Sequence, residues 1–416
     1  MDVFDRSIEK LKVRRQRILD GQINCIPLPF PRLRTWLPGI EKRRYTIISA
    51  NQKIGKSKLS DYLYVYEPFF YMIEHPDQLR FKTLYFTLEM GKEEKFYEFL
   101  CHLLYRLDNI RISPTNLKST NADNPCPEHI LELIESERYQ EYIRRFKETV
   151  IYIDDIRNPT GIYKKIRGFM LERGQFHYKK GTIKDENGLP MEVDVIDYFE
   201  HTDEDEYIEV ILDNYSNLMQ EQGMDKRATI EKMSKYAIEL RDKFDIHFCA
   251  IQHQAQAQEG IENQKLNKLY PSSDGLADCK TTTRDANLVL GLFSPFKYGL
   301  TEYEKYDITR FKNNIRFLLV IEDRDNGAGG QVCPLLFDGE VSNFCELPLP
   351  DNKREIESAL QYVEQVIRRR ATPVFMMFTR EFSREKRKVV RGLHRWFNRS
   401  IFASKKKEKL SKWQEF

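Results

Sequence analysis

The chain is 416 residues long, carries a formal net charge of +3, and is 41% apolar and 31% charged. That balance predicts a soluble globular protein, long enough for a core domain with appendages. No apolar run approaches the roughly 18 residues a bilayer-spanning helix needs, and the mixed-charge stretch Met1 to Arg17 is helical in pattern, with no signal-peptide hydrophobic stretch, so neither a spanning helix nor a leader is expected.

In chain order, residues 5–20 read as a short amphipathic helix, with Ile8, Leu11, Ile18 and Leu19 apolar among charges and Gly21 ending it. Residues 22–40 are rich in proline and read as a linker or docking arm. A regular alternation follows. Strand-like Arg44–Ala50 leads to a glycine-containing loop and helix Lys56–Tyr71, and Lys82–Leu88 leads to helix Lys92–Leu107. Thr149–Ile153 then leads to helix Thr160–Arg173, and Ile208–Leu212 to helix Arg227–Lys243. Strand-like Phe248–Gln252, Ala286–Phe293 and Arg316–Ile321 come after. Strands alternating with helices predict an α/β fold with a doubly wound, mainly parallel sheet.

Residues 175–207 are polar and rich in Gly, Asp and Glu, and predict an inserted hairpin or a flexible loop. A helix is expected over Lys353–Arg370. From Arg380 to Phe416 there are 13 basic and 4 acidic residues, a local +9 that leaves about −6 for the remainder. This end, interleaved with Phe382, Trp396 and Phe402, fits a contact with nucleic acid or another polyanion, and equally a solvated terminus. The expected units are 1–40 (helix and arm), 41–350 (core domain) and 351–416 (basic extension). The cysteines are scattered without a C-x-x-C pair, which fits free thiols in a reducing cytoplasm better than disulfides or zinc.

Chemistry concentrates at the ends of the strands. Ala50-Asn51-Gln52-Lys53-Ile54-Gly55-Lys56-Ser57 follows an apolar strand and opens a helix. The pattern G-x-x-x-x-G-K-[ST] wraps a phosphate chain in backbone N–H groups at a helix N-terminus. Ala50 stands where the first glycine belongs. Lys56 is expected to reach the β- and γ-phosphates of ATP, and Ser57 to bind Mg²⁺. Glu89, ending its strand, fits a carboxylate that polarises an attacking water, and also a solvated charge. Asp154-Asp155 and Asp213 both follow apolar strands, and spacing leaves the Mg²⁺-binding role open between them. Gln252 and His253 follow another strand and could sense the γ-phosphate. Arg324 sits in a Gly-rich turn, where it could complete a neighbouring subunit's site or pair with an aspartate of its own hairpin.

These segments, in this order, resemble the ATPase domain of DnaB-type replicative helicases, the hexameric RecA-like superfamily 4, from about Ile23 to Phe344. Thr87-Leu88-Glu89-Met90 is similar to the family's S-L-E-M, which implies Glu89 as the catalytic carboxylate. Ile151-Tyr152-Ile153-Asp154-Asp155 resembles the Y-I-D-D strand that precedes Walker B. The resemblance therefore assigns the Walker B role to Asp213, with Ser57, at the metal. Ala250-Ile251-Gln252-His253 resembles A-L-S-Q, and Asp323-Arg324-Asp325-Asn326-Gly327 resembles the arginine-finger turn K-x-R-N-G. Glu322 stands where the family's lysine is expected, and Asp325 adds one residue. The helix over 5–20 resembles a linker helix that packs on the next subunit.

The family likeness implies an ATP- and Mg²⁺-dependent DNA helicase working as a hexameric homo-oligomer. Its expected partners are single-stranded or forked DNA and a primase or loader. Channel loops near Met219–Arg227 and Ala255–Pro271 would place Lys226, Arg227, Lys265 and Lys268 at DNA phosphates. The missing collar domain implies a phage or plasmid origin and a location in the host cytoplasm. A RecA-like recombinase, another DNA-dependent ATPase, and a nucleotide-binding scaffold without turnover are the alternatives.

Overall fold

The computed structural model describes residues 3–122, 124–184, 189–265 and 268–370. The basic end with Phe382, Trp396 and Phe402 lies outside the described residues.

The strands form because their sequences are near-continuous runs of β-branched and aromatic residues, the mark of a sheet buried on both faces. In β1 (Arg44–Ala50), every residue from Tyr45 onward is buried. The others are β2 (Arg80–Thr87), β3 (Val150–Ile153), β4 (Glu206–Asp213), β5 (His247–His253), β6 (Leu288–Phe293), β7 (Ile315–Asp323), β8 (Val332–Asp338) and β9 (Asn343–Glu346). They make one nine-stranded sheet in the order β9-β8-β7-β6-β1-β5-β4-β2-β3. From β6 to β3 all neighbours are parallel, and β7, β8 and β9 add an antiparallel margin beside β6.

Alternation along the strands sends side chains into two cores. Ile48, Ala50, Tyr85 and Ile211 face one, and Tyr45, Ile47, Leu84, Phe86, Val210 and Leu212 the other. The first is covered by α2 (Lys56–Asp61), α3 (Glu67–Glu74), α4 (Lys92–Asp108), α5 (Glu128–Glu135) and α6 (Glu137–Thr149). The second is covered by α7 (Pro159–Leu171) and α8 (Lys226–Phe244).

The structure refines the sequence expectations in four places. The single helix expected over Lys56–Tyr71 is α2 and α3 joined by a π-helical turn, Tyr62–Tyr66. Pro68 has no N–H to offer the Tyr64 carbonyl four residues back, and its ring would clash there, so a wider turn accommodates it. Helices α5 and α6 lie where no element was expected. The stretch 175–207 is a hairpin, Gly174–Lys184 paired with Pro190–His201, its base held by Phe176 and Phe199 against Phe244 at the end of α8. Finally, α9 (Lys353–Arg370) is part of the body: Ala359, Leu360 and Val363 pack with Phe311 and Phe317 beside the antiparallel margin, so the packed core continues past residue 350.

The arm is docked. Leu28, Phe30, Leu33, Leu37 and Ile40 are buried in the first core, with Phe30 stacked near Tyr62. The helix α1 (Val3–Leu19) lies against the body by its charges: Arg6 pairs with Asp197 of the hairpin at 2.6 Å, Arg17 with Asp205 at 2.7 Å and Arg14 with Glu41 at 3.2 Å. Its apolar stripe, Ile8, Leu11, Ile18 and Leu19, is exposed.

Candidate nucleotide site

Four adjacent parallel strands, β1, β5, β4 and β2, bring their carboxyl ends side by side. This is the edge of an open α/β sheet where ligands bind. The four ends carry, in order, the loop Ala50–Ser57, His253, Asp213 with Asn214, and Glu89.

The loop is built to leave its amides free. Lys53 and Gly55 take left-handed backbone conformations, with φ of +60° and +99°, which bends the chain back before α2. The N–H groups of a first helical turn have no intrahelical acceptor and favour an anion. Gly55 is needed twice over, since a Cβ there would also approach the Phe337 ring to 3.1 Å. Ala50 is buried inside β1 with an ordinary strand conformation, so no glycine is required at that position. Asn51 donates its amide to the Leu269 carbonyl at 3.3 Å and to the Tyr298 hydroxyl, which ties the loop to the segments after β5 and β6. Gln52 and Lys53 are exposed, and Ile54 is buried. From below, Arg316 of β7 donates to the Ile54 carbonyl at 2.8 Å. Arg316 is itself buried over the Phe337 ring, and burial pulls its guanidinium down to about 9.

Lys56 folds across the loop to the Asn51 carbonyl at 3.4 Å. Burial lowers its ammonium to about 8, against the pull of the Glu89 and Asp213 carboxylates. The Ser57 side chain is half-buried.

Asp213 is buried, and its two oxygens differ. Oδ2 accepts from the Tyr85 hydroxyl at 3.1 Å, whereas Oδ1 is shielded and has no hydrogen-bond partner among the described residues. An orphaned carboxylate oxygen two strands from a phosphate loop fits a hard cation such as Mg²⁺, which takes one or two protein oxygens and draws the rest of its shell from water and phosphate. Among the described residues no group of three or more His, Cys, Asp or Glu side chains could hold a metal alone. Asp154 and Asp155, the competing pair, follow β3 at the sheet's edge, four strands from the loop, and Asp154 faces Lys92 at 3.4 Å.

Glu89 is exposed at the end of β2. The Asn214 amide donates to Glu89 Oε2 at 2.5 Å and lies 3.1 Å from His253 Nε2. One amide thus bridges the carboxylate and the imidazole. Burial, with the Lys56 ammonium nearby, holds His253 down at about 4, so near neutral pH the ring is uncharged and its Nε2 accepts from Asn214. Gln252 is spent inside: its amide donates to the Ala277 and Cys279 carbonyls at 2.8 and 2.7 Å, and its oxygen accepts from Thr282. It fixes the segment after β5 and offers no free polar atom at the strand tip.

Arg324 lies elsewhere. Asp323 pairs with Leu288 at the amino end of parallel β6, and the Arg324 N–H donates to the Asn287 carbonyl. Its guanidinium is exposed and has no partner among the described residues. Since Leu288 is level with Thr46, four residues before Ala50 in β1, the Arg324 turn stands about 13 Å down the strands from the loop Ala50–Ser57 of its own chain. The extra residue, Asp325, is bound to Arg44, and the Asp323 carboxylate accepts from the N–H groups of Asp325, Asn326 and Ala328. Glu322 accepts from Ser273.

Of the expected DNA-contacting cations, Lys226 pairs with Asp278 at 3.1 Å and Arg227 with Glu231 at 3.1 Å, both at the surface. Lys268 is exposed, and Lys265 ends a short helix, Ile261–Lys265.

Three residues of this site escaped the sequence reading: Asn214, Arg316 and Lys95. Asn214 directly follows the strand-ending aspartate, which was the available signal. Lys95 lies within Lys-Glu-Glu-Lys and reads as solvated, yet it shares a helical face with Phe99 and Leu103 and is fully buried.

No protein-family model matches the chain, and no curated protein matches it. Solved structures do. One is described as a DnaB-like replicative helicase studied with its interactions with primase: 15% identity, 82% of this chain and 67% of that one, with a TM-score of 0.57. Another is described as an ATPase domain: 15% identity, 84% of this chain and 100% of that one, with a TM-score of 0.57. The fold is RecA-like, an α/β fold with a mainly parallel sheet, as the alternation of strands and helices predicts.

Proposed function

We propose that this chain is a subunit of a ring-forming, DnaB-like replicative helicase that hydrolyses Mg²⁺–ATP between adjacent copies and moves along single-stranded DNA. One observation carries the reading. The loop Ala50–Ser57, Asp213 and Glu89 lie on neighbouring strand ends, while Arg324, with no partner among the described residues, stands on the opposite edge of the sheet. An arginine so placed can serve only another copy's site, which is how ring and filament ATPases complete theirs.

In this reading the amides of Gln52 to Ser57 and the Lys56 ammonium bind the phosphates, and Ser57 and Asp213 Oδ1 hold Mg²⁺. Bound there, the metal would neutralise charge on the β- and γ-phosphates. Glu89 orients the attacking water. Asn214 holds the Glu89 carboxylate toward His253, so the imidazole reports the state of the segment after β5 to the residue that acts on water. Gln252 positions that segment. Lys226, Arg227, Lys265 and Lys268 meet DNA phosphates. The pairs of Lys226 and Arg227 are surface ion pairs, worth about 0–1 kcal/mol each, and are readily exchanged for a polyanion. A primase and a loader are the expected protein partners, in the cytoplasm of the cell where the DNA is copied.

The test is a coupled assay on the full chain. ATPase activity should rise on adding single-stranded DNA, a forked duplex should be unwound, and Lys56→Ala should abolish both. Helical filaments on duplex DNA would favour a recombinase instead, and nucleotide binding without phosphate release would leave a scaffold.

A further inference from the structure

The P-loop helix, the metal-side strand and the helix after Glu89 meet at one buried amine. Lys95 of α4 is fully buried. Its ammonium lies 2.9 Å from Asp61 Oδ2 and 3.1 Å from Asp61 Oδ1, on the helix that begins with Lys56 and Ser57. It lies 2.9 Å from the Tyr85 hydroxyl and 3.5 Å from Asp213 Oδ2. Tyr85 in turn donates to that same Asp213 oxygen. Around this centre, Glu98 faces Lys58 at 2.7 Å.

A buried pair of Lys95 and Asp61 would satisfy the fold by itself. The contact with Asp213 is additional, and it is directional. The Lys95 charge and the Tyr85 hydroxyl both gather on Oδ2 and leave Oδ1 without a partner among the described residues. A full positive charge thus stands behind the carboxylate that is to face the metal. In a shielded site such a charge is felt strongly across a few ångströms.

We infer that Lys95 is a positioning residue that orients Asp213 and, by its charge, holds the site's affinity for Mg²⁺ down, while Asp61 sets how much of that charge Asp213 feels. The inference rests on the reading of Asp213 as the metal-side carboxylate. It gives the pair a role in metal release: a site that held Mg²⁺ tightly would also keep the metal-bound product.

Two substitutions move the field in opposite directions. Asp61→Asn keeps the amine and removes its counter-charge, so Asp213 is more fully offset. Lys95→Met with Asp61→Asn removes the amine without stranding the Asp61 carboxylate, which would be the damaging single change. The measurement is a MgCl₂ titration of the full chain with a fluorescent non-hydrolysable ATP analogue, alongside the thermal shift that Mg²⁺ adds to the nucleotide-bound protein. The Mg²⁺ midpoint should rise several-fold in Asp61→Asn. It should fall several-fold below wild type in the double variant, by the part of the Lys95 charge that Asp61 leaves uncompensated at Asp213.

Midpoints within twofold of wild type in folded variants, or the reverse order, would overturn the inference and leave Lys95 as a structural strut. If the double variant shows no cooperative melt, Asp61→Asn decides alone, and an unchanged or lower midpoint sinks the idea. A wild-type protein with no metal-dependent nucleotide binding would instead refute the nucleotide reading, and this inference with it.

Discussion

At the scale of single residues, the site separates binding from turnover. Glu89 touches neither the loop nor Asp213 among the contacts described, and its held partner is Asn214. Glu89→Gln should therefore bind nucleotide as wild type does and lose at least about a hundredfold in kcat, a loss typical of a missing general base, read by phosphate release and by nucleotide fluorescence. Asn214→Ala should lose kcat with little change in nucleotide affinity, since it orients the carboxylate without meeting phosphate. A rise in KM alone would count against that role. Legibility at this scale followed chemistry that is local in sequence. Gly55, Lys56 and Ser57 could be read because one loop conformation needs those types in that order. Lys95 and Arg316 could not, because their burial depends on which elements pack over them. Gln252 was placed on the right strand, but side-chain direction at a strand's end is a tertiary outcome, and its amide turns inward to Ala277 and Cys279.

At the scale of elements, the loop after β4 is anchored by one carboxylate. Glu221 accepts from the Thr160 N–H and the Asn158 amide, both at 2.8 Å, at the start of α7, and from Lys232 of α8 at 2.5 Å. Against its own burial, which pushes it up, these partners hold its carboxyl down at about 2. A depressed acid stabilises the fold above its unfolded value near 4.3 and loses that contribution as the pH falls toward the folded value. Glu221→Gln should thus cost about 1–2 kcal/mol at pH 7 in urea melts. The gap from wild type should narrow below about pH 4.5, and a gap that stays constant with pH would show that the charge is not what matters. The alternation of strands and helices was legible because burial on both faces leaves continuous apolar runs. The π-turn was not, because a proline inside a helical pattern signals a break without saying whether the helix stops or widens. The sequence of 175–207 fits a hairpin or a flexible loop equally, since Phe176 and Phe199 become anchors only with Phe244 beside them.

At the scale of the whole molecule, the loop Ala50–Ser57 and Arg324 lie on opposite edges of the sheet, and the proposed ring would bring them together between copies. Arg324→Ala should lower DNA-stimulated ATPase by about a thousandfold, the range of a missing arginine finger. Mixing Arg324→Ala with Lys56→Ala subunits should restore part of it, because an interface can then pair an intact loop with an intact arginine. No recovery in mixed assemblies would mean that Arg324 acts within its own chain or not at all. Specific activity should also climb with protein concentration, and Leu11→Asp on the exposed stripe of α1 should shift the sedimentation profile toward monomer. The order of strands was legible as a fold class, whereas the position of the arginine turn on the far edge came from the antiparallel pairing of β7 with β6, which no local pattern encodes.

The way α1 lies, charges inward and apolar stripe outward, gives it a response to ionic strength opposite to that of an ordinary amphipathic helix. Dissolved salt screens half-exposed ion pairs over about 8 Å at physiological strength, while excluded salts such as sulfate strengthen the burial of apolar surface. Concentrated ammonium sulfate would therefore loosen the helix from its own body and drive its stripe toward any apolar surface on offer, so that the chain's N-terminal segment acts as a tether whose preference for self or neighbour is set by the solvent.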